Sequence, residues 1–418
     1  MFNNINMKLN SLTNNVFEVC NSADEKIGEL SRNDIISTGR LCAAEYIGKN
    51  LNMARNMTEA MGFKSRLAEF GGDYATLSKA HMEKKLLFCA ARAYSAIGRS
   101  APENIEQVKN DLTLYKDPIF LRTMSAIDSD VVAPLLYSAI SDIAGPMMNM
   151  TSVPLGRTKE VTILSNEAFL FEDSSWGSSR STTKNYLYND TVTLNPSPKT
   201  CNATIKWFQM IATDNGMDAG WYYGSIMQGL WSKIMALFTN ALTTAAADTK
   251  YVPSYLAFSS YSTANWASAT VAAAAANGVN RDQLMAFGSY QALQAVLPNG
   301  TTSDAALTYN LGPEWIRNGF LAMVGRVPLY EVRQALVPGT VNTTGKLIFP
   351  NDQIYIMGRA GQALAPIYGA MAEGSPITIE MEPSETADFS IDINVTAIMD
   401  FKAVFASKIA VIDNVSLA

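Results

Sequence analysis

The sequence predicts an α+β protein, and three observations carry that prediction. Charge is concentrated in the first 120 residues, which hold 29 of the 70 charged side chains and suit a solvated helical region. A polar excursion beginning near Val153 runs between strand-like flanks into one long amphipathic helix that ends near Asp248. The cleanest alternation comes late, with Phe389, Ile391, Ile393, Val395 and Ala397 on one face and Ser390, Asp392, Asn394 and Thr396 on the other.

Length and composition bound the classes. A chain of 418 residues with 48% hydrophobic content buries a large core and is long enough for two or three domains. A net charge of -6 and a pI near 5.1 give no overall attraction to phosphate backbones, so sequence-independent gripping of nucleic acid is excluded as the main task. Cys20, Cys42, Cys89 and Cys201 are far apart and form no C-x-x-C pair. They read as small buried hydrophobes in a reducing compartment, not as a zinc site or a disulfide framework. The first eight residues lack the basic start and apolar run of a secretory signal. Tyr251 to Asn280 carries no charge over 30 residues, but Pro253, Asn265 and many Ser and Thr punctuate it. Its Ala-rich stretch is well short of a bilayer crossing, so it reads as buried or interfacial structure with no membrane partner.

The elements follow in order. Ser22-Ala23-Asp24-Glu25 and Ser100-Ala101-Pro102-Glu103 match the capping box, in which a hydroxyl and a carboxylate satisfy orphan N–H groups, so a helix is expected to open at each. Met82, Leu86, Ala90, Ala93 and Ile97 recur every three or four residues up to Gly98, which predicts a helix stopping there. Asp117-Pro118 opens another helix, and Val131 to Ile143 forms a further one closed by Gly145-Pro146. The first third is therefore expected to be mostly α, with a boundary near Lys116 to Asp130.

After Val153 the period changes. Val161 and Ile163, Thr191 to Leu194, and Ala203 to Trp207 have the β-branched and aromatic content of strands, with Pro196 and Pro198 at a bend or edge. These predict a long hairpin. Between its flanks, Glu172 to Lys184 buries little apolar area and cannot pack a core by itself, so it needs a partner. Tyr222, Ile226, Leu230, Ile234, Phe238 and Leu242 then recur at a spacing of four, one apolar stripe along a helix of roughly 30 residues and about 45 Å. Farther on, Gly325 to Val332 reads as the start of a strand, and Gln353 to Met357 as a buried strand ended by Gly358.

The search for chemistry is mostly negative. His81 is the only histidine, so no Ser-His-Asp, Cys-His or multi-histidine metal mechanism has material to work with, and His81 reads as an ordinary helix residue. There is no G-x-x-x-x-G-K-[ST] and no G-x-G-x-x-G opening a helix; Gly358-Arg359-Ala360-Gly361 reads as a turn after a strand. Glu380-Met381-Glu382 and Asp128-Ser129-Asp130 read as alternation or loop exposure before they read as metal or acid/base pairs. Trp207, Trp221, Tyr222, Tyr223 and Trp231 have no basic groove beside them, so packing explains them better than base stacking. No catalytic residue, metal ligand or cofactor site is expected.

The order of elements is itself a signature. A helical arm, a long hairpin, a long helix, a mixed central domain and a late alternating strand resemble the major capsid protein of tailed bacteriophages, the Hong Kong 97-like fold. Thr200 to Trp207 resembles the strand returning from that family's extended loop, and Gly325-Arg326-Val327-Pro328-Leu329 its Gly-x-Pro-hydrophobic element. The resemblance implies residues 1–124 as an arm, 125–152 as a connection, 153–201 as the extended loop and 202–249 as the peripheral domain with its spine helix. It further implies 250–374 as the axial domain, 375–400 as the long strand of the peripheral domain and 401–418 as a return to the axial domain.

The same resemblance implies a non-enzymatic virion protein, assembled in the host cytoplasm through hexamers and pentamers into an icosahedral shell enclosing DNA without reading its sequence. Its partners would be other copies of itself, together with scaffold, portal and decoration proteins. Glu172, Asp173, Trp176, Arg180, Lys184 and Tyr186 would lie on the intersubunit loop, and the stripe from Tyr222 to Leu242 would be the spine-helix core. Some relatives join subunits through a loop lysine and a strand asparagine; Lys159, Lys184, Lys199 and Asn394 are available here, with a solvated lysine as the plainer reading. An encapsulin-type cellular compartment shares the fold, and an enzyme of unrecognised class would need a concave pocket of convergent polar groups.

Overall fold

The computed structural model describes residues 6–9, 16–20, 26–47, 74–144, 148–164, 189–211, 218–297, 319–332, 334–337, 339–340, 343–359, 365–374, 376–384, 389–405 and 407–415. The chain opens with β1 (Asn6–Leu9), β2 (Val16–Cys20), β3 (Lys26–Ser31), α1 (Arg32–Tyr46), α2 (Tyr74–Ala96), α3 (Ile105–Asn110) and α4 (Pro118–Ala144). There follow β4 (Met148–Val153), β5 (Lys159–Leu164), β6 (Asn189–Leu194), β7 (Ser197–Lys206), α5 (Trp207–Ile211) and α6 (Ala219–Ala247). Next come β8 (Ala257–Phe258), α7 (Thr263–Asn277), β9 (Leu284–Gly288), α8 (Tyr290–Gln294), β10 (Met323–Val324) and β11 (Val327–Glu331). The last are β12 (Ile354–Gly358), β13 (Ile367–Ala372), β14 (Ile377–Pro383), β15 (Ser390–Ala403) and β16 (Ala410–Ile412). The mixture is α+β, as the patterning predicts.

The chain divides into two compact units, one formed by 1–142, 198–231 and 374–398 and the other by 143–197, 232–373 and 399–418. In the first unit the N-terminal strands form an antiparallel sheet in the order β1-β2-β3, with Phe17 opposite Leu30 and both buried. The Phe17 ring stands edge-on to Phe88 of α2 at 5.2 Å. The Ser22 capping box therefore does not open a helix at once: 26–31 is strand and α1 begins at Arg32. Cross-strand burial of Leu30 outweighs a local cap signal, because propensity is a weak prior against tertiary pairing. The first third is accordingly not mostly α at its start.

α2 ends where Gly98 predicts. Gly98 adopts φ +70, Arg99 N–H donates to Tyr94 O at 2.9 Å and Gly98 N–H to Ser95 O at 3.2 Å, which caps the last turn. The next cap falls four residues beyond the Ser100 box, on Asn104, whose side chain accepts from Gln107 N–H at 3.0 Å. The two helices expected after Asp117 are one, α4, with Pro134 inside it. Proline has no N–H for the carbonyl four residues back, which is that of Asp130. Arg40 of α1 supplies the missing donors, Nη2 at 2.7 Å and Nε at 3.2 Å from Asp130 O. A guanidinium from another helix thus satisfies the carbonyl that Pro134 leaves without its helical donor.

Where α6 begins, Asp218 accepts from the backbone N–H of Gly220 at 2.7 Å and from the Tyr74 hydroxyl at 2.6 Å. A Cβ at Gly220 would stand 1.7 Å from Tyr74 Oη and 2.8 Å from Cys42 O, so only glycine fits. In a further, five-stranded sheet β14 and β7 pair with β15, with Ile379 opposite Val395 and Ile377 opposite Ala397. β15 alternates buried and half-buried residues from Ile391 onward, as its sequence predicts, and Ile379 N–H donates to Ser129 Oγ of α4 at 2.9 Å.

The second unit holds a six-stranded sheet in the order β10-β11-β9-β12-β16-β8. β12 is buried at every position, and the Tyr355 ring stacks on Phe287 of β9 at 5.6 Å. The Gly325-Arg326 pair, read from sequence as the start of a strand, is the two-residue turn between β10 and β11. Both residues have positive φ, 60 and 70, as a tight hairpin of matching twist requires. The charge-free stretch after Tyr251 supplies β8 and α7, which buries Trp266, Ala269 and Ala273. No helix among the described residues is long and apolar enough to cross a membrane. In the five-stranded sheet that holds β15, β13 pairs antiparallel with the end of β15 and parallel with β4.

Candidate assembly site

β5 and β6, the two flanks of the polar excursion, pair antiparallel from Lys159 opposite Leu194 to Leu164 opposite Asn189. The ribbon is anchored at the end where β6 leaves it. Asn195 N–H donates to Asp400 Oδ2 at 2.9 Å, and Lys402 Nζ donates to Thr193 O at 2.9 Å. Beneath these bonds Leu194, Val153 and Ala370 form a buried cluster against Val161 and Tyr368, and Val404 and Phe405 extend it. Lys159 Nζ donates to Thr151 Oγ1 at 2.8 Å, which ties β5 to β4. Apolar contact thus holds the base, while Lys159, Glu160, Thr162 and Thr191 are exposed. Glu172, Asp173, Trp176, Arg180, Lys184 and Tyr186 lie outside the described residues.

Along α6, Tyr222 and Leu230 are buried in the first unit, and Ile234, Phe238 and Leu242 are fully buried in the second, while Ile226 is half-buried. Phe238 packs on Phe287 with ring centroids 6.1 Å apart. Of the cysteines, Cys42 and Cys89 are buried, but Cys201 on β7 is exposed. The expectation of a buried thiol fails there because, among the described residues, β7 pairs only with β15 and most of its side chains are exposed. Asn394 is engaged by the amide of Asn202 at 2.7 Å.

The sequence reading missed a buried polar centre in the first unit. Asp128 of α4, expected to be loop or surface, is wholly buried and meets Lys85 Nζ of α2 at 2.5 Å. Tyr223 and Tyr222 of α6 donate to its two oxygens at 2.6 and 3.1 Å. His81 Nε2 lies 3.2 Å from the Tyr223 hydroxyl. Burial, and then the Asp128 charge, push both tyrosines well above their ordinary range. Burial first, and the Lys85 charge second, hold His81 down at about 3. The one available signal was Lys85 itself, which shares a helix face with Met82, Leu86 and Cys89. Because the cluster has no solvent access, no substrate can reach it; chemically it is a lock between α2, α4 and α6.

Little else converges. An open cavity of about 720 Å³ is lined by Tyr94, Glu103, Glu106 and Asp111, of which Asp111 is already engaged by Tyr94 and Thr113 at 2.7 and 2.6 Å. No group of three metal-ligating side chains occurs among the described residues. Glu380 and Glu382 are exposed on β14, alternating with buried Ile379 and Met381.

No family model and no curated relative matches this chain. Similar solved structures are mainly phage capsid proteins, with shells of other kinds among them. A phage-related protein from Bordetella bronchiseptica is 13% identical over 69% of this chain and 98% of its own, with a TM-score of 0.44. A chain from Mycobacterium phage Che8 is 11% identical over 62% of this chain and 86% of its own, at 0.40. A chain of an encapsulin complex from Synechococcus elongatus is 10% identical over 65% and 86%, at 0.37. The functional reading rests on the anchored ribbon and the elements around it.

Proposed function

We propose that this chain is a capsid-type shell protein, and in particular the major capsid protein of a tailed phage. It associates through hexamers and pentamers into an icosahedral shell around double-stranded DNA, acts without catalysis, and resides in the virion. The observation that carries this reading is the β5–β6 ribbon, whose base is fixed by the Lys402–Thr193 and Asn195–Asp400 hydrogen bonds. A ribbon held so firmly at one end, and continuing into a polar segment unable to pack by itself, is built to be completed by another molecule. Head-to-tail contacts of this kind close into rings, and rings tile a shell. A net charge of -6 suits a container whose wall should not adhere to packed DNA.

Negative-stain microscopy of the expressed protein, alone and with a co-expressed scaffold, tests the reading. Closed particles of uniform size are expected. Protein that stays monomeric in light scattering under all assembly conditions refutes it, and genome-free particles holding a docked cargo peptide point to an encapsulin-type compartment instead.

A further inference from the structure

β7 is a ten-residue strand with one partner: β15 pairs along one edge, and among the described residues no strand lies along the other. Thr200, Cys201, Asn202, Ala203 and Thr204 are all exposed. The edge is nevertheless rigidly presented. Asn202 and Thr204 bond across to Asn394 and Asp392 of β15 at 2.7 and 2.6 Å, and the backbone N–H of the fully buried Trp207 that follows donates to Phe389 O at 2.8 Å.

Native sheet edges of this length are usually blunted by charge, proline or a bulge, because a bare row of N–H and C=O groups is a template for another chain. From Thr200 to Ile205 there is neither charge nor proline; Pro198, Lys199 and Lys206 stand only at the ends. The ligand that satisfies such a row is an extended strand.

We propose that the open edge of β7 docks an extended segment of a second copy of this chain, which adds a strand to the sheet that holds β15. The choice of a second copy rests on the proposed self-assembly and on the ribbon. As strands, β5 and β6 pair only with each other among the described residues, so each copy carries both an edge to be filled and further strand edges that can fill one. An acceptor and a donor that are different parts of the chain make a head-to-tail contact, the kind that propagates and closes into rings. A ladder of about six residues is too small to hold two molecules together alone, so its part is to fix register within a larger interface.

Cys201 lies within this edge and is exposed, whereas Cys42 and Cys89 are buried. Maleimide labelling and amide hydrogen exchange on the full-length protein, before and after assembly, therefore read the edge directly, with Cys201→Ser assigning the label. Assembly is expected to slow Cys201 labelling by about tenfold or more and to bring new protection to amides within 200–205. Particles whose Cys201 and amides stay as open as in the unassembled protein overturn the edge proposal and leave self-assembly standing. Protein that forms no assembly of any kind overturns both.

Discussion

Lys85 and Asp128 face each other with no exposed surface, and the tyrosines that satisfy the carboxylate make the pair tolerable in a core. His81 lies against the same cluster as a neutral ring. Its folded-state value of about 3 is below the ordinary 6.5, so the unfolded chain takes up the proton first. The stability tied to His81 is therefore complete above about pH 6.5 and is lost as pH falls toward 3, by up to about 1.4 kcal/mol per pH unit. Urea midpoints measured from about pH 7 to about pH 4 are expected to fall more steeply in the wild type than in His81→Leu. Equal slopes would show that the ring is not buried in its neutral form. Sequence reasoning placed His81 correctly as a helix residue, but it had no access to Asp128. The two carboxylates of Asp128-Ser129-Asp130 look alike in a string of residues; only the packing of α2 and α6 separates the buried one from the partner of Arg32.

Elements with a period were legible and elements defined by a distant partner were not. The stripe through α6, the alternation of β15 and the stop at Gly98 are local patterns, and each element forms where its pattern lies. β3 depends on its pairing with β2, and the carbonyl that Pro134 leaves without its helical donor depends on Arg40, some 90 residues away in sequence. That last dependence is testable. Arg40→Met should leave Asp130 O without its donor and cost about 1–3 kcal/mol. In a Pro134→Ala background the restored N–H can bond the same carbonyl, so the same substitution should cost measurably less. Equal losses in thermal or chemical denaturation of the two backgrounds would remove the Arg40–Pro134 coupling and reduce Arg40 to a packing residue.

At the scale of the molecule, the proposed partner of the polar excursion is another copy of the chain. The ribbon base has its own apolar cluster of Val153, Leu194 and Ala370 and its own hydrogen bonds, none of which draws on residues 172–184. Replacing Glu172 to Lys184 by a short Gly/Ser turn should therefore leave folding nearly untouched, because a change in surface-loop length costs little closure entropy. Thermal unfolding of the unassembled variant should match the wild type. Particle formation should fail, since the contact proposed to cover a neighbour is gone while the bonds and apolar cluster at the ribbon base remain. Shells of normal size from the shortened chain would sink the assigned role of the loop, whereas loss of both stability and particles would place those residues in the subunit's own core.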